Sequence, residues 1–405
     1  MEKRGKLLRT LTLSQVTIAG TGIILGAGIY ALIGVAAGIT GNTIWLAFFF
    51  SSLIAMMTGL SYAELSSIFK QDAGEYEYAS HAFTKKIAFI VALLVILTGV
   101  FSAATVAIAF GHYISELVDL AAMIGAMAII LFCGWINYRG IKDTARLNAI
   151  CTAIEAFGLF IIILLGLKHF GSVNLFEMPN GFLGVIRATA LVFFAFMGFE
   201  TIVKLAEETK DPTKTIPKAI VYSLIVSTIL YILVSISAVN ILDWQRLAAS
   251  QAPLAEAAAV SFGTLTFTLV AIIALFSTAN TVLMTLVTTS RMIYGLAEQR
   301  VKGIPKIFKR VNVSHKTPTI AIVMITIITL LLLIIKDLET IAYLNNLFLF
   351  ASFGLVNLAV IVLRYKEKRK RPFTMPMNIG RFPILAAGGF LSCLAMVILI
   401  LGKVV

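Results

Sequence analysis

Long apolar segments recur along the whole 405-residue chain, and short stretches with charges, glycines and prolines separate them. An α-helix needs about 20 predominantly apolar residues to cross a bilayer. Eleven segments come close to that length, so the pattern predicts an all-α polytopic membrane protein with about 11 transmembrane helices. The predicted spans cover residues 14–38, 43–62, 86–113, 120–137, 147–167, 183–205, 219–242, 265–293, 318–335, 341–363 and 382–401.

Glycines interrupt the first predicted span, at Gly20, Gly22, Gly26 and Gly28. Glycine loses more backbone entropy in a helix than any other non-proline residue, so the helix is weakened where it lies in lipid. The hydrocarbon core tolerates unpaired amides and carbonyls only where they line a cavity or meet a ligand. The sequence therefore predicts a binding site inside the first span.

The sixth predicted span carries a second candidate break, at Gly198 within the segment 193–201. A single glycine is a weak signal, because glycine is common in membrane helices. Its position strengthens the signal, since the first and sixth spans correspond if one transporter domain contains two five-span halves. We predict repeat one at about 14–167, repeat two at about 183–363 and an additional span at about 382–401.

Paired interruptions in corresponding halves are typical of a substrate site at the midplane of a transporter. The amide ends of half-helices attract an anionic group, whereas freed carbonyls attract an ammonium group or a metal cation. A zwitterionic amino acid carries both an anionic group and an ammonium group. The two breaks therefore indicate an amino acid as the class of substrate.

The net charge of +13 reflects membrane orientation rather than nucleic-acid binding. With the amino terminus in the cytoplasm, 28 of the 33 Lys and Arg residues lie on the cytoplasmic side, as the positive-inside rule requires. We therefore predict a cell-membrane protein with a cytoplasmic amino terminus and, from eleven spans, an extracellular carboxyl terminus. The dense basic run 364–371 is interpreted as a topology anchor, with contact to anionic lipid headgroups as the alternative.

Other classes of site are not indicated. The three cysteines fall in apolar spans without metal-like spacing, so neither a disulfide framework nor a metal site is predicted. The glycine run lacks the Gly-Lys-Ser/Thr ending of a phosphate-binding loop, and no nucleophile and base constellation is found. We expect no enzyme activity, no cofactor and no obligate protein partner; the expected partners are the lipid bilayer and a small-molecule amino acid.

Six motifs, in order along nearly the whole chain, resemble the amino acid–polyamine–organocation (APC) permease family. They are Gly26-Ala-Gly-Ile-Tyr30, the loop pair Tyr62-Ala-Glu-Leu and Ala73-Gly-Glu-Tyr-Glu-Tyr78, Phe194-Ala-Phe-Met-Gly-Phe-Glu200, Ala206-Glu-Glu-Thr-Lys-Asp-Pro212 with Ile216-Pro-Lys-Ala219, Arg291-Met-Ile-Tyr-Gly-Leu-Ala-Glu298 with Pro305, and Arg371-Pro-Phe373. The resemblance implies a LeuT-like 5+5 inverted-repeat bundle with discontinuous first and sixth spans, which works by alternating access. Twelve spans are commonest in that family, so the usual last span is absent from our count of eleven.

The resemblance also implies a substrate site at the two breaks. The substrate carboxylate is expected at the amides around Ala27 and Gly28, beside Gly26. The ammonium group is expected at carbonyls near Ile24, and near Phe194, Ala195 and Met197 in the sixth span. Phe194 matches an aromatic residue that covers the substrate on its outer side. Family members often have Ser or Thr at the position of Ala27, so a side-chain hydroxyl is missing here.

Two carboxylates lie deep in the predicted membrane, where ionisable residues are costly and indicate function. Glu200 follows the second break, and the resemblance implies that it links protonation to the substrate site; the alternative is that it accepts hydrogen bonds from unwound backbone. Glu155 lies on a polar stripe with Asn148, Cys151 and Thr152 at helical spacing, which predicts that it faces the bundle interior. In some proton-coupled relatives a lysine occupies the position of Glu155.

Glu155 carries a negative charge where those relatives have a positive one, and this leaves two ions that could drive transport. An ionised carboxylate beside backbone carbonyls repels their lone pairs, so it should hold a proton or coordinate a cation. A proton is the simpler alternative and is favoured; sodium remains open because Ser277, Thr278 and Thr281 lie on one face of the eighth span.

The prediction is proton-coupled uptake of neutral amino acids. The alternatives are a sodium-coupled or exchanging carrier of cationic amino acids or polyamines, and a sensor without transport.

Overall fold

A computed structural model describes residues 10–69, 74–140, 144–312, 314–367 and 371–404. Ala73 of the loop motif and residues 368–370 of the basic run lie outside the described residues. The described part is helical throughout except for turns, loops, an isolated bridge between Leu11 and Thr209, and a two-stranded hairpin that pairs Asn378–Ile379 with Phe382–Pro383.

The first and sixth spans each consist of two helical pieces. The first has α-helices at Leu13–Ile24 and Gly28–Thr40, and the sixth has an α-helix at Gly181–Val192 followed by 3-10 segments at Phe193–Phe196 and Phe199–Glu207. The other spans are α-helices at Ile44–Ile68, Lys85–Ser115, Ala122–Arg139, Thr144–Gly166, Pro212–Ile241, Thr264–Glu298, Thr319–Leu332, Leu338–Lys366 and Ile384–Val404.

Each of the eleven predicted segments coincides with such a helix or pair of pieces. By length and hydropathy, nine helical stretches in the described part could cross a membrane, one of which joins the second piece of the first span to the second span. Two shorter apolar helices account for the rest: 13–24 is the first piece of the first span, and 319–335 is the ninth span. Three short helices between spans were not predicted, at Glu75–Ala82, Trp244–Ala249 and Pro253–Phe262, of which the last is apolar.

The spans pack in two groups, as in the LeuT-like 5+5 inverted-repeat bundle. Spans one, two, six and seven contact one another, and spans three, four, eight and nine form the second group. Span five packs against spans one, seven and eight, and span ten packs against spans two, three and eleven. Both broken spans therefore belong to the same group. The exact limits of the two repeats stay a prediction.

A buried asparagine links span ten to spans two and eleven within the apolar region. The Asn357 side-chain amide donates to the Thr58 hydroxyl at 3.0 Å, and its Oδ1 accepts from the Ser61 hydroxyl at 2.6 Å. A Cβ atom at Gly389 would lie 2.9 Å from Asn357 Oδ1, so the close approach of span eleven requires a glycine there. Such links satisfy polar groups that have no water to bond.

Glu64, at the predicted cytoplasmic end of span two, is fully buried and accepts hydrogen bonds from four donors. Arg364 binds it in a bidentate manner, with Nε at 2.8 Å and Nη2 at 2.5 Å. Arg371 Nη1 lies at 2.9 Å and the Met375 amide at 3.0 Å. Charge-assisted bonds of this kind stabilise a carboxylate that has lost its water. We call Glu64, Arg364 and Arg371 the Glu64 cluster.

The Glu64 cluster gives two residues of the basic run 364–371 a structural role, and the interpretation of the run as a topology anchor stays a prediction. Arg364 is only 7% exposed, and Arg371 is also bound to Glu64. Their charges therefore compensate a buried carboxylate. The sequence analysis could not find this because Glu64 and Arg364 are 300 residues apart.

We expect Glu64→Ala to destabilise the protein by about 3–5 kcal/mol, because it leaves two guanidinium groups facing a buried site without their anion. The matched control is Glu339→Ala, which removes a carboxylate paired with Lys403 at a site where both side chains are 33% exposed. Exposed pairs contribute about 0–1 kcal/mol. Thermal unfolding of the purified protein in detergent compares the two variants; equal losses of stability contradict this account of Glu64.

Candidate functional site

The first break is a short non-helical stretch between the two halves of the first span. The first half ends at Ile24, whose carbonyl accepts from the Gly26 amide at 2.8 Å instead of from an amide one turn later. The second half begins at Gly28, with Ala27 as its N-terminal cap residue. The chain therefore presents freed carbonyls from one half and amides from the other at nearly the same depth.

The second break lies at Gly198. The α-helix ends at Val192, a 3-10 turn follows, and the chain bends at Gly198 with φ 121°, a value that side chains other than glycine rarely adopt. The helix then resumes as the segment Phe199–Glu207. The glycine predicted from sequence is therefore the point at which the sixth span changes direction.

The two breaks contact each other directly through backbone. A Cβ atom at Gly28 would lie 2.5 Å from Cα of Ala195, and one at Gly198 would lie 2.8 Å from the carbonyl oxygen of Ile23. Each glycine is thus needed for the approach of the opposite segment. The structure brings Ile24, Gly26, Ala27, Gly28 and Ala195, five of the predicted substrate-binding residues, into one buried region.

Tyr231, near the middle of span seven, joins the two breaks. Its hydroxyl lies 2.7 Å from the Ile24 carbonyl oxygen and 2.9 Å from that of Ala195. A phenol has one proton to donate, so the two carbonyls share it. The sequence analysis missed Tyr231; the available signal was a tyrosine near the centre of a membrane span, whose hydroxyl needs a partner there.

Phe194 lies in the 3-10 turn of the sixth span and is 3% exposed. Its carbonyl accepts from the Met197 amide at 3.2 Å, so both of these predicted residues belong to the turn. Phe193 packs on Phe350 with ring centroids 4.4 Å apart, and Phe196 packs edge to face on Tyr231. These neighbouring rings fix the turn that carries Phe194.

The three hydroxyl residues of span eight do not share one environment. The Thr281 hydroxyl accepts from the Ala27 amide at 3.2 Å, at the first break. The Thr278 hydroxyl donates back to the Ala274 carbonyl of its own helix at 2.7 Å. Ser277 is fully buried, and its hydroxyl has no hydrogen-bond partner among the described residues. Of the three, Ser277 is thus the one whose hydroxyl is free of such bonds.

Glu155 lies 1% exposed between the first and eighth spans, as the polar stripe of span five predicts. Its backbone carbonyl accepts from the Tyr30 hydroxyl at 3.0 Å, and its carboxyl group lies near Ser277. Glu155 Oε1 has no hydrogen-bond partner in the described part of the chain. One turn earlier, Thr152 donates to the Gly22 carbonyl at 3.4 Å. Span five thus contacts both pieces of the first span, with Glu155 beside Tyr30 in the second piece and Thr152 beside Gly22 in the first.

Glu200 lies two residues beyond the second break. Its carboxylate Oε2 accepts from the Gly198 amide at 2.8 Å, which satisfies a backbone group that the bend has freed. This is the backbone-supporting role that the sequence analysis kept as an alternative. The contact is compatible with a role in protonation as well, which stays a prediction.

A comparison with protein families decides the class of this chain. A family model described as amino acid permease matches residues 11–404. The chain belongs to the amino acid permease family. The match confirms the resemblance to the APC superfamily, and it makes the chain a multi-pass membrane protein of a transport family.

The permease has relatives that are named for different substrates. The branched-chain amino acid permease BcaP of Bacillus subtilis is 28% identical, with 97% of this chain and 88% of that protein covered. The methylthioribose transporter of the same organism is 28% identical, over 95% and 88% of the two chains. Cationic amino acid transporter 9 of Arabidopsis thaliana is 26% identical, over 90% and 68%.

Among solved structures, a manganese transporter from Eremococcus coleocola is similar to the permease with a TM-score of 0.62. The two are 14% identical, and the match covers 100% of this chain and 90% of the other. At this identity the similarity concerns the fold alone.

We expect Gly28→Ala to disrupt the junction of the two breaks. The new methyl group would lie 2.5 Å from backbone of Ala195, which cannot move as a side chain can, and overpacking of this kind costs about 1–3 kcal/mol. Substrate affinity should fall accordingly. Gly295→Ala is the matched control, because nothing lies within 4 Å of a Cβ atom there. Binding of radiolabelled amino acid to both purified variants tests this; unchanged affinity in Gly28→Ala contradicts it.

Proposed function

We propose that this permease is a secondary active transporter that takes up a neutral amino acid by alternating access, coupled to protons. The observation that carries the proposal is the contact between the two broken spans. At this contact, the backbone amides at the start of the second helical piece, from Ala27 onward, lie in one buried region with the carbonyls of Ile24 and Ala195. An α-amino acid has both the anion and the cation that these backbone groups prefer.

Binding of a substrate ammonium group requires a rearrangement of bonds at the first break. The Ile24 carbonyl already accepts from the Gly26 amide and the Tyr231 hydroxyl. Since a carbonyl oxygen has two lone pairs, the ammonium group competes with one of these donors. We propose that Tyr231 loses its hydrogen bond to the Ile24 carbonyl, because its hydroxyl can keep the bond to the Ala195 carbonyl at 2.9 Å. The substrate carboxylate similarly competes with Thr281 for the Ala27 amide.

Proton coupling is proposed for Glu155 because the surrounding groups fit one proton better than a metal cation. A sodium ion needs several oxygen ligands at one point, and Ser277 is the hydroxyl of span eight found beside the Glu155 carboxyl group. A proton needs only the carboxyl group and an acceptor such as Ser277. Glu200 is proposed as a second group that links protonation to the sixth-span break. Sodium coupling through Ser277, Thr278 and Thr281 is the alternative.

A neutral substrate is proposed because, among the described residues, the site region adds no acidic side chain to Glu155 and Glu200 that could pair with a cationic one. The branched-chain amino acid permease among the relatives supports this class. The second candidate is a carrier of cationic amino acids or polyamines, which the cationic amino acid transporters among the relatives favour. One of the two glutamates would then bind the substrate's side-chain charge.

We further propose that the permease lies in the cell membrane with its amino terminus in the cytoplasm and its carboxyl terminus outside. The distribution of Lys and Arg along the predicted loops supports this orientation. We propose that it works without a cofactor or an obligate protein partner, since an ion gradient can supply the energy of transport.

Uptake of radiolabelled amino acids into proteoliposomes tests the proposed function. Leucine, alanine and arginine are offered in turn under an imposed proton gradient, an imposed sodium gradient, or neither. We expect accumulation of a neutral amino acid with the proton gradient alone to exceed that with the sodium gradient. Saturable binding without accumulation or exchange contradicts the transport proposal and favours a sensor, and accumulation of arginine favours the second candidate.

We expect Glu155→Gln to abolish the response of uptake to the proton gradient, because an amide cannot gain or lose a proton in the working pH range. Exchange of labelled for unlabelled substrate should persist, since the substrate contacts are backbone groups. The control is Glu256→Gln, which changes an exposed carboxylate paired with Arg246. If the Glu155→Gln variant keeps the wild-type response, Glu155 is excluded as the coupling site.

A further inference from the structure

We propose that the hairpin, with Met377 before it (residues 377–383), is a lipid-contacting element that binds the anionic headgroups of the adjacent membrane leaflet. It lies between spans ten and eleven, on the predicted cytoplasmic side. The proposal does not depend on the transport function. It depends on three features of the hairpin: a rigid attachment to the protein, exposed apolar side chains, and an exposed basic residue at its turn.

The hairpin is attached through the Glu64 cluster. Arg364, which Glu64 holds in a bidentate manner, also donates through Nη1 to Asn378 Oδ1 at 2.6 Å and to the Arg381 carbonyl at 3.4 Å. Asn378 donates in turn to the Met375 carbonyl at 2.7 Å, and the Met375 amide binds Glu64. These bonds fix the first strand and the turn of the hairpin relative to spans two and ten. Its orientation is therefore preformed.

The fixed hairpin exposes apolar side chains. Ile379 is 71% exposed, Met377 is 61% exposed and Phe382 is 38% exposed. Ile379 and Phe382 are directly paired across the strands, so their side chains lie on the same face of the hairpin. A preformed cluster of this kind is unfavourable in water and indicates contact with an apolar or interfacial environment.

The membrane is the nearest such environment. Span eleven begins at Ile384, two residues after Phe382, so at about 3.3 Å per residue the hairpin starts within roughly 7 Å of that span. A segment so close to the end of a span lies at headgroup depth, where apolar side chains can enter the boundary of the acyl chains.

The charge of the hairpin favours anionic lipid over a second copy of this chain. Arg381 forms the two-residue turn with Gly380 and is exposed. Basic residues at a membrane surface are attracted to anionic headgroups, whereas two copies of the same basic surface repel each other. The partner that matches both the exposed apolar side chains and the basic residue is therefore a lipid layer with negatively charged headgroups.

A spin label at Ile379→Cys in the full-length protein tests the proposal, with Lys306→Cys as the control in another exposed loop on the same predicted side. Both positions are exposed, so the substitutions leave the packing intact, and the wild-type protein with its three buried cysteines gives the background. Collision rates with oxygen, which partitions into lipid, and with a water-soluble nickel chelate are measured in vesicles with and without phosphatidylglycerol.

We expect the oxygen-to-nickel collision ratio at position 379 to exceed that at position 306 severalfold in phosphatidylglycerol vesicles, and to fall when phosphatidylglycerol is replaced by phosphatidylcholine. Adding Arg381→Ala should remove this lipid dependence, whereas Arg381→Lys should retain it. Equal ratios at the two positions overturn the proposal, because the hairpin then lies in water. Shielding of position 379 from both reagents overturns it in favour of a protein contact, and a high ratio that ignores phosphatidylglycerol overturns the recognition of anionic lipid.

Discussion

The requirement that backbone polar groups find partners inside a bilayer governs the centre of this permease. Two helices stop and restart at the same depth, which frees amides and carbonyls where water cannot reach them. The structure meets this requirement by placing the breaks against each other and adding a few side-chain hydroxyls. The Tyr231 hydroxyl donates to the carbonyls of Ile24 and Ala195. The Thr281 hydroxyl accepts from the Ala27 amide, and the Glu200 carboxylate accepts from the Gly198 amide. The same groups are those that a zwitterionic substrate can bind.

This arrangement explains why glycine is needed at particular positions of the site. Gly28 and Gly198 each face backbone of the opposite broken span at distances that leave no room for a Cβ atom. Gly26 is different, because a Cβ atom there would meet the Thr281 hydroxyl at 3.2 Å, which a small side-chain movement can relieve. The glycines of the first span are therefore not equivalent. Gly28 is required by a close backbone contact, whereas Gly26 lies beside a side chain that can move.

Much of the fold could be predicted from local sequence. Apolar length gave the eleven spans, and the glycines marked both breaks, because these signals lie within one span each. The contacts of Tyr231, and the identity of the arginines that bind Glu64, could not be predicted, since the contacts join residues 207 and 300 positions apart. The short helices between spans were missed for another reason: with 6 to 10 residues, they are too short to be recognised as membrane spans. In the basic run, sequence showed the charges of Arg364 and Arg371 but not that a buried carboxylate accepts them.

The position of Glu155 connects the proposed proton site to the proposed substrate site through the first span. Tyr30, in the second half of that span, donates to the Glu155 backbone carbonyl, and Tyr113 of span three donates to the Tyr30 carbonyl at 3.3 Å. Thr152 holds the first half through Gly22. Span five therefore contacts both halves of the broken helix, one on each side of the break. In the proposed mechanism, a change in the charge of Glu155 alters the electric field at the junction of the two breaks, which links protonation to substrate binding.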